Sequence, residues 1–353
     1  MFLIFVVNVD SAPDFLRALR RKMGKALNND SHQPQTSVIL NLQSRRGEEW
    51  YPHVEPELKK RGVRMDSFSA LRDPVHLENA VEEALARGDG RVIVGGGDGT
   101  FSAVARQIAR TPVELGVLPT GTGNQFARDL GIAPQLDHAA DVIAQNRVAE
   151  VDVGVVNGHP FLNVASLGLT TQLVESLTVV GKRRWGRLVY VPAFLRAWRK
   201  TKPLKVRWQT AELDETFEAM QVVLGNGRFH VGRAPLAPEA HLDDGKLDIY
   251  ALEGHSRWRF IRYLAHIQRG LHGQLGFVRT LEAAQGTLTT DRPEKVVVDG
   301  EIVTSTPLEF EVWVSALRVL VPAEVPGTRP SSSNPPSPIE VRDLLEDPKA
   351  DPG

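Results

Sequence analysis

The chain has 353 residues with 42 basic and 43 acidic side chains, a formal net charge of −1, and 42% of its residues are hydrophobic. This composition is typical of a soluble globular protein large enough for two domains, and it excludes a chain that is disordered throughout. The sequence contains no cysteine, which excludes a disulfide scaffold, a thiolate metal site and a cysteine nucleophile, and fits a reducing compartment. No apolar run approaches the roughly 20 residues of a membrane-spanning helix, and the N-terminus lacks the pattern of a secretory signal.

The basic residues are concentrated in two segments. Residues 182–207 contain ten Lys or Arg and no Asp or Glu, and residues 257–279 contain five and none, which leaves 27 basic against 43 acidic residues elsewhere. Apolar and aromatic residues are interleaved with these charges, a pattern that favours contact with an anionic membrane surface or a phosphate-rich partner. Two solvated helix faces would produce the same pattern.

The first part of the chain alternates strand and helix patterns. Residues 1–35 form a leader of uncertain structure, with an apolar start and a polar loop. Strands are then predicted at 38–40, 92–94 and 115–118, and helices at 50–61, 75–87, 101–110 and 125–130. Strands that alternate with helices predict a parallel sheet with right-handed crossovers, and therefore an α/β domain over residues 36–152.

The second part of the chain is rich in strand patterns and is predicted to be a mostly β domain over residues 153–316. Strands are predicted at 161–164, 205–209, 219–224, 246–252, 295–298 and 308–314, and helices at 187–199 and 257–270. Residues 326–353 are rich in proline and charge and cannot bury enough apolar surface to offset the entropy of ordering, so we expect a disordered tail.

A glycine-rich loop, Gly95-Gly96-Gly97-Asp98-Gly99-Thr100, lies between a β-branched strand and a helix. Consecutive glycines let the backbone approach a ligand, and the helix that follows contributes its positive end, so the loop predicts an anion site, typically for phosphate. Asp98 would repel a bare phosphate, which implies either a bound Mg²⁺ or a donor that Asp98 orients. The alternative is a tight turn in which Asp98 caps the helix.

A second loop, Pro119-Thr120-Gly121-Thr122-Gly123-Asn124, follows the next predicted strand. Parallel strands place both loops at the same carboxyl edge of the sheet, where doubly wound sheets bind ligands, so the loops are expected to converge on one ligand. Neither loop matches the Walker A or Gly-x-Gly-x-x-Gly pattern, which argues against a common nucleoside triphosphatase and a standard dinucleotide fold. The chain also lacks a Gly-x-Ser-x-Gly elbow and a His-Glu-x-x-His zinc motif.

Two acidic clusters lie in the predicted β domain. Asp243-Asp244-Gly245 is compatible with a metal site of carboxylate and carbonyl oxygens, or with a type I′ hairpin turn. Asp299-Gly300-Glu301 lies between two strands, where Asp-Gly is by itself a hairpin signal. The ten histidines show no metal-binding spacing and are interpreted as structural or surface groups.

Taken together, the motifs resemble the diacylglycerol kinase catalytic-domain family, in the branch of bacterial soluble lipid kinases related to sphingosine kinases. A Gly-Gly-Asp-Gly loop alone is shared with NAD kinases and phosphofructokinases, so the specificity lies in the ordered set. The matching segments span about residues 36–322 and are 92–100 (VIVGGGDGT), 116–128 (GVLPTGTGNQFAR), 151–153 with 161–168 (FLNVASLG), 236–249 (LAPEAHLDDGKLDI), and 298–301 (VDGE) followed by Thr306-Pro307.

The resemblance implies an NAD kinase-like or phosphofructokinase-like α/β nucleotide-binding domain, with a parallel sheet, and a mostly β C-terminal domain. ATP and Mg²⁺ would bind in the cleft between them, and the chain would return to the first domain around residues 317–325. By the same resemblance, the nucleotide-binding residues are Asn41, Ser44, Gly96, Gly97, Asp98, Gly99, Thr100, Thr122 and Asn124.

The resemblance also implies the catalytic and metal-binding roles. Glu301 would accept the proton of a lipid hydroxyl, with Asp299 beside it and Asp98 in the glycine loop. Mg²⁺ would be held by the side chain of Asp244 and by backbone oxygens of His241 and Lys246. We expect a cytoplasmic protein, reversibly attached to an anionic membrane surface through 182–207 and 257–279, with a membrane lipid as substrate and no nucleic-acid partner; a homodimer stays open.

The sequence departs from the family pattern at two places. Asn41-Leu42-Gln43-Ser44-Arg45 lacks the proline and glycine of the family's Asn-Pro-x-Ser-Gly loop, and Gln125 stands where an aspartate is usual. The predicted catalytic acids and the main glycine loop are retained, so an active enzyme is expected. A kinase of a soluble substrate, similar to NAD kinases, and a non-catalytic nucleotide- or lipid-binding regulator are the alternatives.

Overall fold

The computed structural model describes residues 34–176, 201–227, 242–254 and 275–323. Several predictions fall outside these residues: nearly all of the leader, the tail, the helices predicted at 187–199 and 257–270, and His241.

The first part of the described chain is a parallel sheet covered by helices. β1 is parallel to both β2 and β3, and β3 is parallel to β4, which is the arrangement that the alternating pattern predicts. The elements are β1 (Thr36–Asn41), α1 (Gly47–Lys60), β2 (Ser67–Leu71), a 3-10 turn (Pro74–His76), α2 (Leu77–Arg87), β3 (Arg91–Gly96), α3 (Asp98–Ile108), β4 (Glu114–Pro119), α4 (Gln125–Asp129) and α5 (Leu136–Gln145).

The second part is built mostly from antiparallel strands. Its elements are β5 (Val148–Val156), β6 (His159–Phe161), β7 (Val164–Gly168), α6 (Leu169–Ser176), β8 (Leu204–Gln209), β9 (Asp214–Gly225), β10 (Leu247–Glu253), β11 (Val278–Ala283), β12 (Gln285–Thr290), β13 (Lys295–Val298), β14 (Glu301–Ser305) and β15 (Leu308–Leu320). An α/β part followed by a mostly β part confirms the predicted fold class.

A long antiparallel pair, β5 and β15, connects the two parts. The pairing runs from Phe310 opposite Val156 to Leu320 opposite Val148, with a shift of register between Trp313 and Leu317. β15 also pairs with β12 in the β part and, in parallel, with β4 in the α/β part. The strands that the structure describes therefore belong to one connected sheet, and the domain boundaries 36–152 and 153–316 stay predictions.

Each part has its own hydrophobic core. β3 is buried on both faces because helices cover both sides of the parallel sheet, which explains its unbroken apolar run of Val92, Ile93 and Val94. β8 alternates instead: Trp208 and its apolar neighbours face the second core, and the charged residues between them face solvent. The carboxyl ends of β1, β3 and β4 consequently form one edge, with the β part beside it.

Candidate active site

The loop after β1 contacts both glycine-rich loops. The Asn41 amide nitrogen donates to the Thr100 hydroxyl at 3.2 Å, and the hydroxyls of Ser44 and Thr120 lie 2.7 Å apart. Ser44 also donates to the carbonyl of Asn41, which closes the loop on itself. Thus the predicted nucleotide-binding residues Asn41 and Ser44 lie against the predicted phosphate loops, although the loop lacks the family's proline and glycine.

The two glycine-rich loops touch through their backbones. A Cβ added to Gly121 would lie 2.4 Å from the Cα of Gly97, which is closer than any side chain can approach. The carbonyl of Gly96 also accepts the N–H groups of Thr120 and Gly121, at 2.9 and 3.0 Å. Glycine at 121 is therefore required by this contact, and the predicted convergence of the two loops is present.

The first turn of α3 leaves room for a ligand. Gly99 is exposed, and a Cβ added there would meet no atom within 4 Å. The N–H groups of Asp98 and Gly99 open the helix and so have no intrahelical acceptor, and the helix dipole makes this end positive. This turn therefore has the geometry and charge to bind phosphate oxygens.

The second loop is held in shape by Asn124. This residue has a left-handed backbone with φ of 51°, and its amide nitrogen donates to the carbonyls of Pro119 and Gly121. Its side chain thus supports the loop's own backbone, while Thr122 is exposed at the tip of the loop.

Asp98 ties the first glycine loop to the helix after the second. Its carboxylate accepts the N–H of Phe126 at 3.2 Å, at the start of α4. Burial raises the pKa of Asp98, and the nearby charge of Asp299 raises it further, whereas backbone N–H groups of α4 oppose the shift. The donors that Asp98 orients are therefore backbone N–H groups. It does not cap its own helix, because α3 begins at Asp98 and follows Gly97.

Asp299 and Gly300 form the two-residue turn between β13 and β14. Their φ angles of 45° and 96° and the pairing of Val298 with Glu301 are those of a type I′ hairpin. The hairpin interpretation of this cluster is correct as geometry, and it places Glu301 as the first residue of β14 with an exposed side chain.

The Asp299 carboxylate accepts four hydrogen bonds. Three come from consecutive N–H groups, two in the connection between β6 and β7 and one at the first residue of β7, and the fourth comes from a hydroxyl on α3. The donors are Leu162 N at 2.9 Å, Asn163 N at 3.1 Å, Val164 N at 2.9 Å and Ser102 Oγ at 2.6 Å. Asp299 and Asp98 are thus brought together at α3, and Glu301 stands two residues away.

The Asp243-Asp244-Gly245 turn is anchored by a carboxylate at the junction of the two parts. Asp152, only 2% exposed, accepts the N–H of Gly245 and of Ser315, each at 2.7 Å, and its own N–H donates to the carbonyl of Leu242. Burial raises the pKa of Asp152, and the charges of the two neighbouring aspartates add to this. Gly245 has a left-handed backbone with φ of 74°, but Asp243 and Asp244 do not, whereas a type I′ turn needs positive φ at both central residues, so the type I′ alternative for this turn does not hold.

Asp244 and Lys246 offer oxygen donors of the kind that Mg²⁺ prefers. Mg²⁺ is usually held by one or two carboxylates and several waters, so a single carboxylate with backbone carbonyls is a sufficient donor set. Asp244 also accepts the N–H of Lys246 at 3.0 Å, which orders the turn. Across the described ranges, no three His, Cys, Asp or Glu side chains cluster closely enough to hold a metal by themselves.

Three residues of this site make contacts that were not predicted from the sequence. Thr120 joins the loops after β1 and β4, Ser102 joins α3 to Asp299, and Asp152 joins the Asp-Gly turn to β5 and β15. A signal existed for Asp152, since a carboxylate inside the apolar run Val151-Asp152-Val153 must find partners when it is buried. Thr120 and Ser102 carried no comparable signal.

Asp248, at the start of β10, has a strongly perturbed carboxyl. Burial raises its pKa from 3.8 to about 7, and the charges of Glu282 and Asp244 act in the same direction, against Lys246. Between about pH 4 and pH 7, the folded protein therefore retains a proton on Asp248 that the unfolded chain has already lost. Stability contributed by this group falls as the pH rises through that window.

We predict that Asp248→Asn removes this fall. In metal-free buffer at pH 8, the free energy of unfolding of the variant should exceed that of the parent protein. The expected difference is on the order of 2 kcal/mol, because each unit of pKa shift corresponds to roughly 1.4 kcal/mol and part of this is lost to solvent screening. Urea denaturation at pH 5 and pH 8 measures the difference. Asp137→Asn, at an exposed carboxyl, is the control, and an equal pH dependence of both variants would contradict the prediction.

Comparison with protein families assigns both parts of the chain. Residues 35–156 match the diacylglycerol kinase catalytic domain, and residues 164–321 match the YegS C-terminal NAD kinase beta sandwich-like domain. A candidate diacylglycerol kinase from Bacillus anthracis has the same fold, with a TM-score of 0.71 at 22% identity over 84% of this chain and 100% of that one.

Relatives named as lipid or diacylglycerol kinases are also similar in sequence. A Pseudomonas aeruginosa protein named "Probable lipid kinase YegS-like" is 34% identical over 255 residues, which are 70% of this chain and 81% of the relative. A Mycobacterium tuberculosis diacylglycerol kinase is 30% identical over 276 residues, 75% of this chain and 87% of the relative. These matches confirm the predicted enzyme class, a lipid kinase. The chain therefore belongs to the diacylglycerol kinase catalytic-domain family, as a YegS-like member.

Proposed function

We propose that this protein transfers the γ-phosphoryl group of ATP to the hydroxyl of a membrane lipid: diacylglycerol, a sphingoid base or a related lipid alcohol. The observation that carries the proposal is the 2.6 Å hydrogen bond between Ser102 and Asp299, which connects the helix of the first glycine loop to the hairpin that bears Glu301. A phosphate site and a carboxylate able to accept a proton thereby belong to one assembly. The names of the relatives support a lipid as the acceptor.

The nucleotide would bind with its phosphates at the first turn of α3. The N–H groups of Asp98 and Gly99 and the positive helix end would hold phosphate oxygens and oppose the charge that develops during transfer. Asn41, Ser44 and Thr122 line the neighbouring loops and would orient the nucleotide. Asp244 and Lys246 would hold Mg²⁺, which supplies charge neutralisation of the phosphates when bound.

Glu301 would act as the general base. A lipid alcohol is a poor nucleophile, so its proton must leave as the new bond forms. The hydroxyl oxygen attacks the γ-phosphorus, the bond from that phosphorus to the bridging oxygen breaks, and ADP leaves. The proton goes to the Glu301 carboxylate, and the products are ADP and a phosphorylated lipid.

We predict that Gly99→Ala weakens nucleotide binding without loss of stability. Alanine fits the helix and favours it by about 1 kcal/mol over glycine, and its Cβ meets no protein atom within 4 Å. The same Cβ would occupy the space needed by a phosphate, so the Kd for ATP, measured by calorimetry, should rise at least about tenfold, or 1.4 kcal/mol. Gly276→Ala, at another position with open space around its Cβ, is the control. Unchanged ATP affinity would place the phosphates elsewhere.

We predict that Glu301→Gln abolishes most lipid phosphorylation. Loss of a general base costs about 100- to 10,000-fold in kcat, whereas the Kd for ATP should stay the same because Glu301 is not at the phosphate turn. The assay follows transfer of labelled γ-phosphate to a panel of diacylglycerol, sphingosine and soluble acceptors, with Glu309→Gln, at an exposed glutamate on β15, as control. Undiminished activity would refute the base assignment, and transfer to soluble acceptors alone would favour a soluble-substrate kinase.

The basic segment 182–207 is proposed to hold the enzyme at an anionic membrane surface, with 257–279 as a second contact. Its ten basic residues, without any acidic one, support this proposal. Within the described ranges, no helix has both the length and the apolar character to span a bilayer.

We predict that reversing the charge of Lys182, Arg183, Arg184 and Arg187 reduces binding to anionic liposomes. Each basic residue near such a surface contributes about 1 kcal/mol, so sedimentation with phosphatidylserine vesicles should fall sharply, and binding to neutral vesicles should not change. Equal sedimentation of the parent and the variant would refute this docking surface.

A further inference from the structure

The two carboxylates of the Asp299-Gly300-Glu301 turn have different surroundings. An ionised carboxylate offers about four lone-pair positions to donors, and Asp299 receives four donors. Glu301, two residues later, is exposed. The lone pairs of Asp299 are therefore occupied by donors from within the fold, whereas the Glu301 side chain is accessible.

The donors to Asp299 come from elements that are remote in the chain. Leu162 and Asn163 precede β7 and Val164 begins it, and β7 pairs with β13 of the hairpin. Ser102 lies on α3, 197 residues before Asp299. Ser102 is 2% exposed, so its hydroxyl is shielded from competing water. One carboxylate thus fixes the hairpin to its neighbouring strand and to the helix of the first glycine loop.

The Ser102 hydroxyl has a choice of two acceptors. It lies 2.6 Å from the Asp299 carboxylate and 2.9 Å from the carbonyl of Asp98, but it carries a single proton. The charged acceptor at the shorter distance forms the stronger bond. The Ser102 hydroxyl therefore donates its hydrogen bond to Asp299, and Ser102 links the first turn of α3 to the hairpin.

We propose that Asp299 is a positioning residue: through Ser102 it holds the hairpin of Glu301 in register with the phosphate-binding turn of α3. The proposal deepens the proposed function and rests on it, because it needs Glu301 as the proton acceptor. The proton of the acceptor hydroxyl goes to Glu301. The bridge matters because a misplacement of about 1 Å between reacting groups costs up to about 100-fold in rate.

The variant Ser102→Ala removes one of the four hydrogen bonds and leaves the three backbone donors in place. We expect kcat for lipid phosphorylation to fall at least about tenfold while KM for ATP stays nearly constant, since an interaction that orients the base acts on the transfer step. The matched control is Ser37→Ala, which deletes a buried serine hydroxyl bonded to the buried carboxylate of Asp89 at the opposite end of β1. This control should lower the stability of the protein, while its kcat should stay within about twofold of the parent value.

The pH profile distinguishes positioning from proton transfer. If Asp299 were itself the proton acceptor, loss of the Ser102 donor to its carboxylate would shift the acid limb of the kcat profile. With Glu301 as acceptor, Ser102→Ala should lower kcat at every pH and leave the limb in place. A shifted limb, or an unchanged kcat, would overturn the proposal.

Hydrogen exchange provides a test that needs no substrate. Amide exchange of Leu162, Asn163, Val164 and β14 should be faster in Ser102→Ala than in the parent protein, and unchanged in Ser37→Ala. Asp299→Asn, which retains the size of the side chain but places an amide group among donors, should accelerate exchange further. If amide exchange is unchanged in both Ser102→Ala and Asp299→Asn, the proposed bridge through Ser102 is refuted.

The outcomes separate the two proposals. If the parent protein phosphorylates no lipid, or Glu301→Gln remains fully active, the proposed function fails even where the exchange data support the bridge. If Glu301→Gln is inactive and Ser102→Ala behaves as the parent in kinetics and exchange, the proposed function stands and the bridge is refuted.

Discussion

The antiparallel pair of β5 and β15 is the constraint on which the rest of the structure depends. These strands are long enough to run through both hydrophobic cores, so the chain enters the β part on one and returns on the other. Where the register shifts, Ser315 adopts a left-handed backbone, and its N–H is taken up by the buried Asp152. The Asp-Gly turn is bound to the same carboxylate, so the position of a candidate metal site follows from the junction of the two parts.

Buried and half-buried carboxylates have a common role around the site. Asp98, Asp152 and Asp299 each accept backbone N–H groups of segments that are outside the regular ladder of the sheet. A buried N–H without an acceptor is costly, and a charged acceptor forms the stronger bond. These residues therefore hold loops in defined positions, and the groups left accessible, namely the first turn of α3 and the Glu301 side chain, are those to which we assign the chemistry.

Local pattern was sufficient for the central elements of the α/β part. β3 and β4 and the helices after them were predicted because apolar β-branched runs are bounded by glycine loops, and the loops were expected to converge because parallel strands end at one edge. β2, with Ser67 and Ser69 and only partly buried positions, has no comparable run and was missed. The strand predicted at 308–314 continues to Leu320, because the irregularity after Trp313 interrupts the alternation that defines a strand in sequence.

The sequence by itself determined the fold class, the two glycine loops and the presence of an Asp-Gly-Glu turn, since each depends on residues that are adjacent in the chain. Only the tertiary structure decided that Asp299 bonds to Ser102, that Asp98 orients α4, and that Asp152 anchors the Asp-Gly turn. Such bonds join residues 28 to 197 positions apart. No periodicity encodes them, because their partners meet only when parallel and antiparallel strands pack into one sheet and bring the loop ends together.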